Sequence, residues 1–137
     1  MDSFSALVVD DEEAFLETVI KRLRKRNVNA SGAKSGEEAL HLLEQHPADV
    51  VVLDVRMPGI DGIQTLREIK QNFPLVEVVM LTGHASTEVA IEGMEIGAFD
   101  YLMKPVDIDE LVFKLQDAYK KKLIQEKKIK NLEKLKK

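Results

Sequence analysis

No cysteine occurs in this 137-residue chain. That absence removes a disulfide framework, a thiolate metal site and a cysteine nucleophile together. Long apolar runs are missing as well. The chain opens acidic, as "MDSFSALVVDDEE", with only residues 6–9 apolar in a row, so no secretory signal is expected. No segment approaches the ~20 apolar residues of a membrane span, and a cytoplasmic location without membrane contact is the expectation. Excess positive charge is lacking from positions 1–119. The net charge is −4, but nine lysines against two glutamates put +7 on residues 120–137 and leave −11 on the rest. A body of that sign is not expected to bind nucleic acid directly, because phosphate contacts need grouped Lys and Arg.

What is present suffices for one core: 45% of residues are hydrophobic and 32% charged, at a length that suits one domain. Short apolar runs alternate five times with helix-period segments. The first run, 6–9, precedes 13–26, where Phe15, Val19 and Leu23 recur four apart on one face. A weaker strand, 28–33, precedes "SGEEALHLL", where Ser35 and Glu38 have capping-box spacing. Residues 49–55, "DVVVLDV", read as a strand buried on both faces. Ile63, Leu66, Ile69 and Phe73 then mark a helix that stops at Pro74. Residues 76–81 form a fourth strand, 86–97 a helix weakened by Gly93 and expected to be the most mobile, and 101–103 a short fifth strand. Asp107 and Glu110 cap a last helix that runs into the lysine-rich end. This alternation predicts an α/β fold, a doubly wound parallel sheet with an extended C-terminal helix.

Ligands in such sheets bind outside the carboxyl ends of the strands, so the residues ending each run carry the functional reading. Asp10 and Asp11 follow the first, Asp54 closes the third, Thr82-Gly83 the fourth, and Lys104-Pro105 the fifth. Singly, the first two acids read as helix caps, Thr82 as a strand end and Lys104 as a solvated charge. Asp54, an acid closing a doubly buried strand before the break at Met57-Pro58-Gly59, is harder to dismiss. Two carboxylates ~4 Å apart repel by about 4 kcal/mol at an effective dielectric near 20. Three in one place must therefore take up protons or hold a cation. With no His or Cys among them, an oxygen-only site suits Mg²⁺. Lys104 as point charge, Thr82 as hydroxyl donor and Asp54 as nucleophile complete a set fit for phosphoryl transfer onto a carboxylate.

Asp10-Asp11, "LDVRMPGIDG" around Asp54, Thr82-Gly83, and Tyr101 with Lys104-Pro105 in "GAFDYLMKP" together resemble the receiver domain of two-component response regulators. The resemblance covers roughly residues 5–119. "LTGHASTEVAIEGMEIGAFDYLMKP" is similar to receivers that precede transcription-activating ATPase domains. The resemblance implies a flavodoxin-like strand order 2-1-3-4-5. It implies that Asp54 accepts a phosphoryl group from a sensor histidine kinase, catalysing only its own phosphorylation and dephosphorylation. Asp11 would ligate Mg²⁺ directly, Asp10 mainly through water, Asp54 as a further ligand, and Arg56 through its backbone carbonyl. Thr82 and Lys104 would bind the phosphoryl oxygens, and the Lys104-Pro105 bond would be cis. Tyr101 would turn inward as Thr82 moves, switching the face around helix 4, strand 5 and helix 5 to control an output domain or partner protein. Arg56 and His84 are candidates to set the phosphorylation lifetime.

Three rivals fare worse. A haloacid-dehalogenase-type phosphatase needs a second Asp two residues after the nucleophile, where Arg56 stands. A flavodoxin-like nucleotide binder needs a phosphate-cradling loop where "DDEEAF" offers carboxylates. A degenerate receiver, acting only as a protein-binding module, should have lost an acid, Thr or Lys. Residues 1–119 are thus taken as the receiver and 120–137 as a helical extension: a linker to an output domain, a helix pairing two receivers through the C-terminal face, or a solvated end. No heptad register runs through Leu123, Ile129, Leu132 and Leu135 for long enough to predict a coiled coil.

Overall fold

The computed structural model describes residues 3–56, 62–83 and 87–136. Strands β1 (Ser5–Val9), β2 (Asn29–Ala33), β3 (Val50–Asp54), β4 (Glu77–Thr82) and β5 (Asp100–Met103) alternate with helices. The helices are α1 (Glu13–Lys25), α2 (Gly36–Gln45), α3 (Gly62–Asn72), α4 (Thr87–Ile96) and α5 (Ile108–Leu135). All pairings are parallel, in the order β2-β1-β3-β4-β5. This is the doubly wound architecture with the extended C-terminal helix. The break expected at Met57-Pro58-Gly59 and the residues around His84 lie outside the described residues.

The period of two along each strand splits the core between the sheet's faces. Val50 and Val52 join Ala6, Val8, Val79 and Leu81 beneath α1 and α5, which contribute Leu16, Val19, Leu23, Leu111 and Leu115. Val51 and Leu53 join Leu7, Val9, Val78 and Met80 beneath α2 and α3, with Ala39, Leu43, Leu66 and Ile69. Each buried aliphatic side chain stabilises by roughly 1.5–3 kcal/mol, so the central strands are the rigid mount of the molecule.

Local chemistry sets the helix starts. Ser35 Oγ accepts from the Glu38 N–H at 3.1 Å, and Asp107 Oδ1 from the N–H groups of Asp109 and Glu110. β4 extends one residue beyond the expected strand, because Thr82 pairs with Met103. Gly93 has a packing reason as well as a propensity penalty. A Cβ there would collide with Met80 Sδ and Cε, so the glycine lets α4 approach β4 closely.

Candidate functional site

β1, β3 and β4 end side by side, and the polar residues after the apolar runs meet there. Asp10 is fully buried, Asp54 and Thr82 nearly so, and Asp11 is exposed. One carboxylate oxygen from each of Asp10, Asp11 and Asp54 lies within 4.8 Å of the others. The backbone locks two of them. Glu12 N–H donates to Asp10 Oδ1 at 2.9 Å, and Arg56 N–H to Asp54 Oδ1 at 3.0 Å. Asp10 is not the cap of α1, whose N-cap is Glu12; it closes a local turn onto Glu12 N–H, while its other oxygen accepts from Lys104.

Lys104 arrives from the opposite side. Its backbone N–H donates to the Thr82 carbonyl at 2.8 Å, and the Lys104-Pro105 bond is cis, as the resemblance implied. Its ammonium stands 3.1 Å from Asp10 Oδ2 and 3.5 Å from Asp54 Oδ2. Burial alone would lower the Lys104 pKa, but the two carboxylates outweigh it and raise the value, so the ammonium is held charged. For Asp54 burial dominates and raises the pKa, with the Asp10 charge adding. The Arg56 N–H and Lys104 oppose it without cancelling it.

The structure thus brings Asp10, Asp11, Asp54 and Lys104 together, with Thr82 at the adjoining strand end. Tyr101 stands apart, 42% exposed on β5. Arg56 shows its N–H engaged with Asp54. Three features escaped sequence reasoning. Lys104 is already the internal counter-charge of two acids rather than an unpaired cation awaiting a ligand. Phe15, expected only as a core residue, places its ring 4.2 Å from the Lys104 ammonium; its place four residues after Asp11, early in α1, was the available signal. Gly62 opens α3 so close to Val55 Cα and the Asp54 carbonyl that a Cβ would not fit.

Comparison with known proteins gives a consistent result. The family model for the response regulator receiver domain matches residues 6–116. The chain is 40% identical over 117 residues to the transcriptional regulatory protein ZraR of Escherichia coli K12, covering 85% of this chain and 26% of that protein. It therefore spans about a quarter of the length of that curated relative. The crystal structure of a receiver domain protein from Clostridium thermocellum superposes with a TM-score of 0.85 at 35% identity, covering 89% of this chain and 98% of that one. NtrX from Brucella abortus, crystallised in complex with ATP, gives a TM-score of 0.87 at 28% identity over 96% of this chain and 30% of that one.

Proposed function

The chain belongs to the response regulator receiver domain family, and from that premise we propose that Asp54 is its phosphoacceptor. The observation that carries the proposal is the setting of Asp54 at the rigid end of β3, within 4.8 Å of the Asp10 and Asp11 oxygens and 3.5 Å from the Lys104 ammonium. An Asp54 carboxylate oxygen forms the new O–P bond while the P–N bond of a sensor-kinase phosphohistidine breaks, its electron pair leaving on the imidazole nitrogen. Arg56 N–H fixes the carboxylate for attack. Lys104 and the Thr82 hydroxyl hold the transferred oxygens, against the roughly −2 charge that a phosphoryl group adds.

The three-acid, oxygen-only donor set fits a hard divalent cation. Asp10, Asp11 and Asp54 would hold Mg²⁺ with the Arg56 carbonyl, and the ion would neutralise the phosphoryl and carboxylate charges together. Thr82 and Tyr101 form the switch, and the α4–β5–α5 face carries the result to an output domain in a cytoplasmic regulator. A transcriptional regulator as relative, and one crystallised with ATP, support an ATP-using output module for transcription.

Intact-mass measurement after incubation with acetyl phosphate tests the reading. A gain of one phosphoryl group that needs Mg²⁺ and is absent from Asp54→Asn is expected. No gain by folded wild type, with Mg²⁺ bound, would instead favour a module that signals through contacts alone.

A further inference from the structure

The end of the sheet opposite the three carboxylates carries a second set of charges, and α5 reaches it. β3 and β4 hold Asp54 and Thr82 at their C-terminal ends. Asp49 stands directly before β3, and β4 begins on Glu77. Lys122 Nζ donates to Asp49 Oδ1 at 2.9 Å, and Lys121 Nζ lies 3.6 Å from Glu77 Oε1. Asp49 is itself fixed, because its Oδ2 accepts from Ser5 N–H at 2.9 Å and from Ser5 Oγ at 3.3 Å.

An ion pair in open solvent contributes little, but these acids are not in open solvent. Glu77 is 3% exposed, and its Oε1 has no hydrogen-bond partner among the described residues, with only Lys121 and, at 3.9 Å, Lys70 flanking it. A carboxylate so buried requires counter-charge, and α5 supplies one of its two cations. Burial would lower the Lys122 pKa, yet Asp49 and Glu126 outweigh it and raise the value, which keeps the ammonium charged. Tyr119 adds a ring stacked on Phe4 with centroids 5.2 Å apart. From Lys127 to Lys136, by contrast, every residue is exposed.

We infer that Lys121 and Lys122 clamp α5 to the N-terminal ends of β3 and β4, so that the receiver body ends at Glu126 and not at residue 119. The helix then leaves the body as a lever whose free part starts at Lys127. Its direction is set by the same two strands that carry Asp54 and Thr82 at their other ends. The clamp is independent of the chemistry at Asp54 and stands whether or not that residue is phosphorylated.

Hydrogen exchange on the full chain tests it, comparing amides of residues 119–126 with those of 128–136. In wild type the first group is expected to exchange at least ~10-fold more slowly, since a packed helical segment opens less often than a solvated one. Asp49→Asn with Glu77→Gln should erase that difference while amides of β1 and β3 keep their rates. Lys121→Gln with Lys122→Gln should do the same from the exposed side, which keeps the test decisive if the acid variants fold poorly. Equal rates for the two segments in wild type, or unchanged protection of 119–126 in the lysine pair variant, would overturn the clamp.

Discussion

Asp54 sits where its proton is favoured, and that preference has a sign in stability. Its folded pKa is raised above 3.8, chiefly by burial, so the folded state binds the proton more tightly than the unfolded one. Its contribution is therefore fully present below pH 3.8 and is lost as pH rises through the folded value. At pH 7 the charged Asp54 is a local cost of folding. Asp54→Asn is expected to be more stable than wild type at pH 7 without divalent cations, by on the order of 1 kcal/mol, the low end of the cost of burying an incompletely compensated polar group. The advantage should shrink as pH falls into the carboxylate range; urea titrations across pH measure it, and a pH-independent difference would refute the burial argument. Phe15 gives a second prediction at this scale. A cation–π contact is worth about 0.5–1 kcal/mol at a partly exposed site. Phe15→Leu should slow acetyl phosphate labelling of Asp54 by roughly 2–5-fold, and Phe15→Tyr should restore it. Equal rates in all three proteins would show that the ring does not position Lys104.

At the scale of elements, α4 shows how one glycine answers to two opposed demands. Alanine in its place would gain about 1 kcal/mol of helix propensity, but the added methyl would meet the buried Met80 side chain. Overpacking a full core costs about 1–3 kcal/mol. Gly93→Ala is thus expected to destabilise wild type by about 1 kcal/mol, yet to stabilise a Met80→Ala background, where the methyl finds room. Chemical denaturation of the four proteins gives the coupling, and simple additivity would mean that α4 is not held at that distance by Met80. The glycine's propensity cost was legible in the sequence; its reason was not, because Met80 and Gly93 meet only when β4 and α4 pack.

The whole molecule joins two ends of one sheet, a carboxylate-lined rim and a lysine-clamped base, with an apolar face beside them. Ile91, Met94, Tyr101, Met103 and Phe113 are all exposed on α4, β5 and α5, which suits a face that meets a partner. If Tyr101 is the switch, phosphorylation should withdraw it from solvent. The chain has two tyrosines and no tryptophan, so a Tyr119→Phe variant isolates the Tyr101 emission. Acetyl phosphate with Mg²⁺ is expected to reduce acrylamide quenching of that emission in this variant but not after a further Thr82→Ala. Quenching that stays constant while Asp54 becomes labelled would remove Tyr101 from the switch.

The strand and helix pattern was readable because a strand covered on both faces is a short continuous apolar run, whereas burial of one helix face imposes a period near 3.6. The strand-end acids were readable because parallel sheets place all their carboxyl ends on one rim. Sequence order thus sufficed for Asp10, Asp11, Asp54 and Lys104 to be expected together, and the structure brings them together. What only the tertiary structure decided were contacts between elements distant in the chain: Lys104 against Asp10 across 94 positions, Phe15 beneath that ammonium, and Lys122 on Asp49 across 73. A run of lysines reads as a solvated face in sequence. Only packing shows which of them reach a buried acid, because charge pairing depends on distance and desolvation, and neither follows a period along the chain.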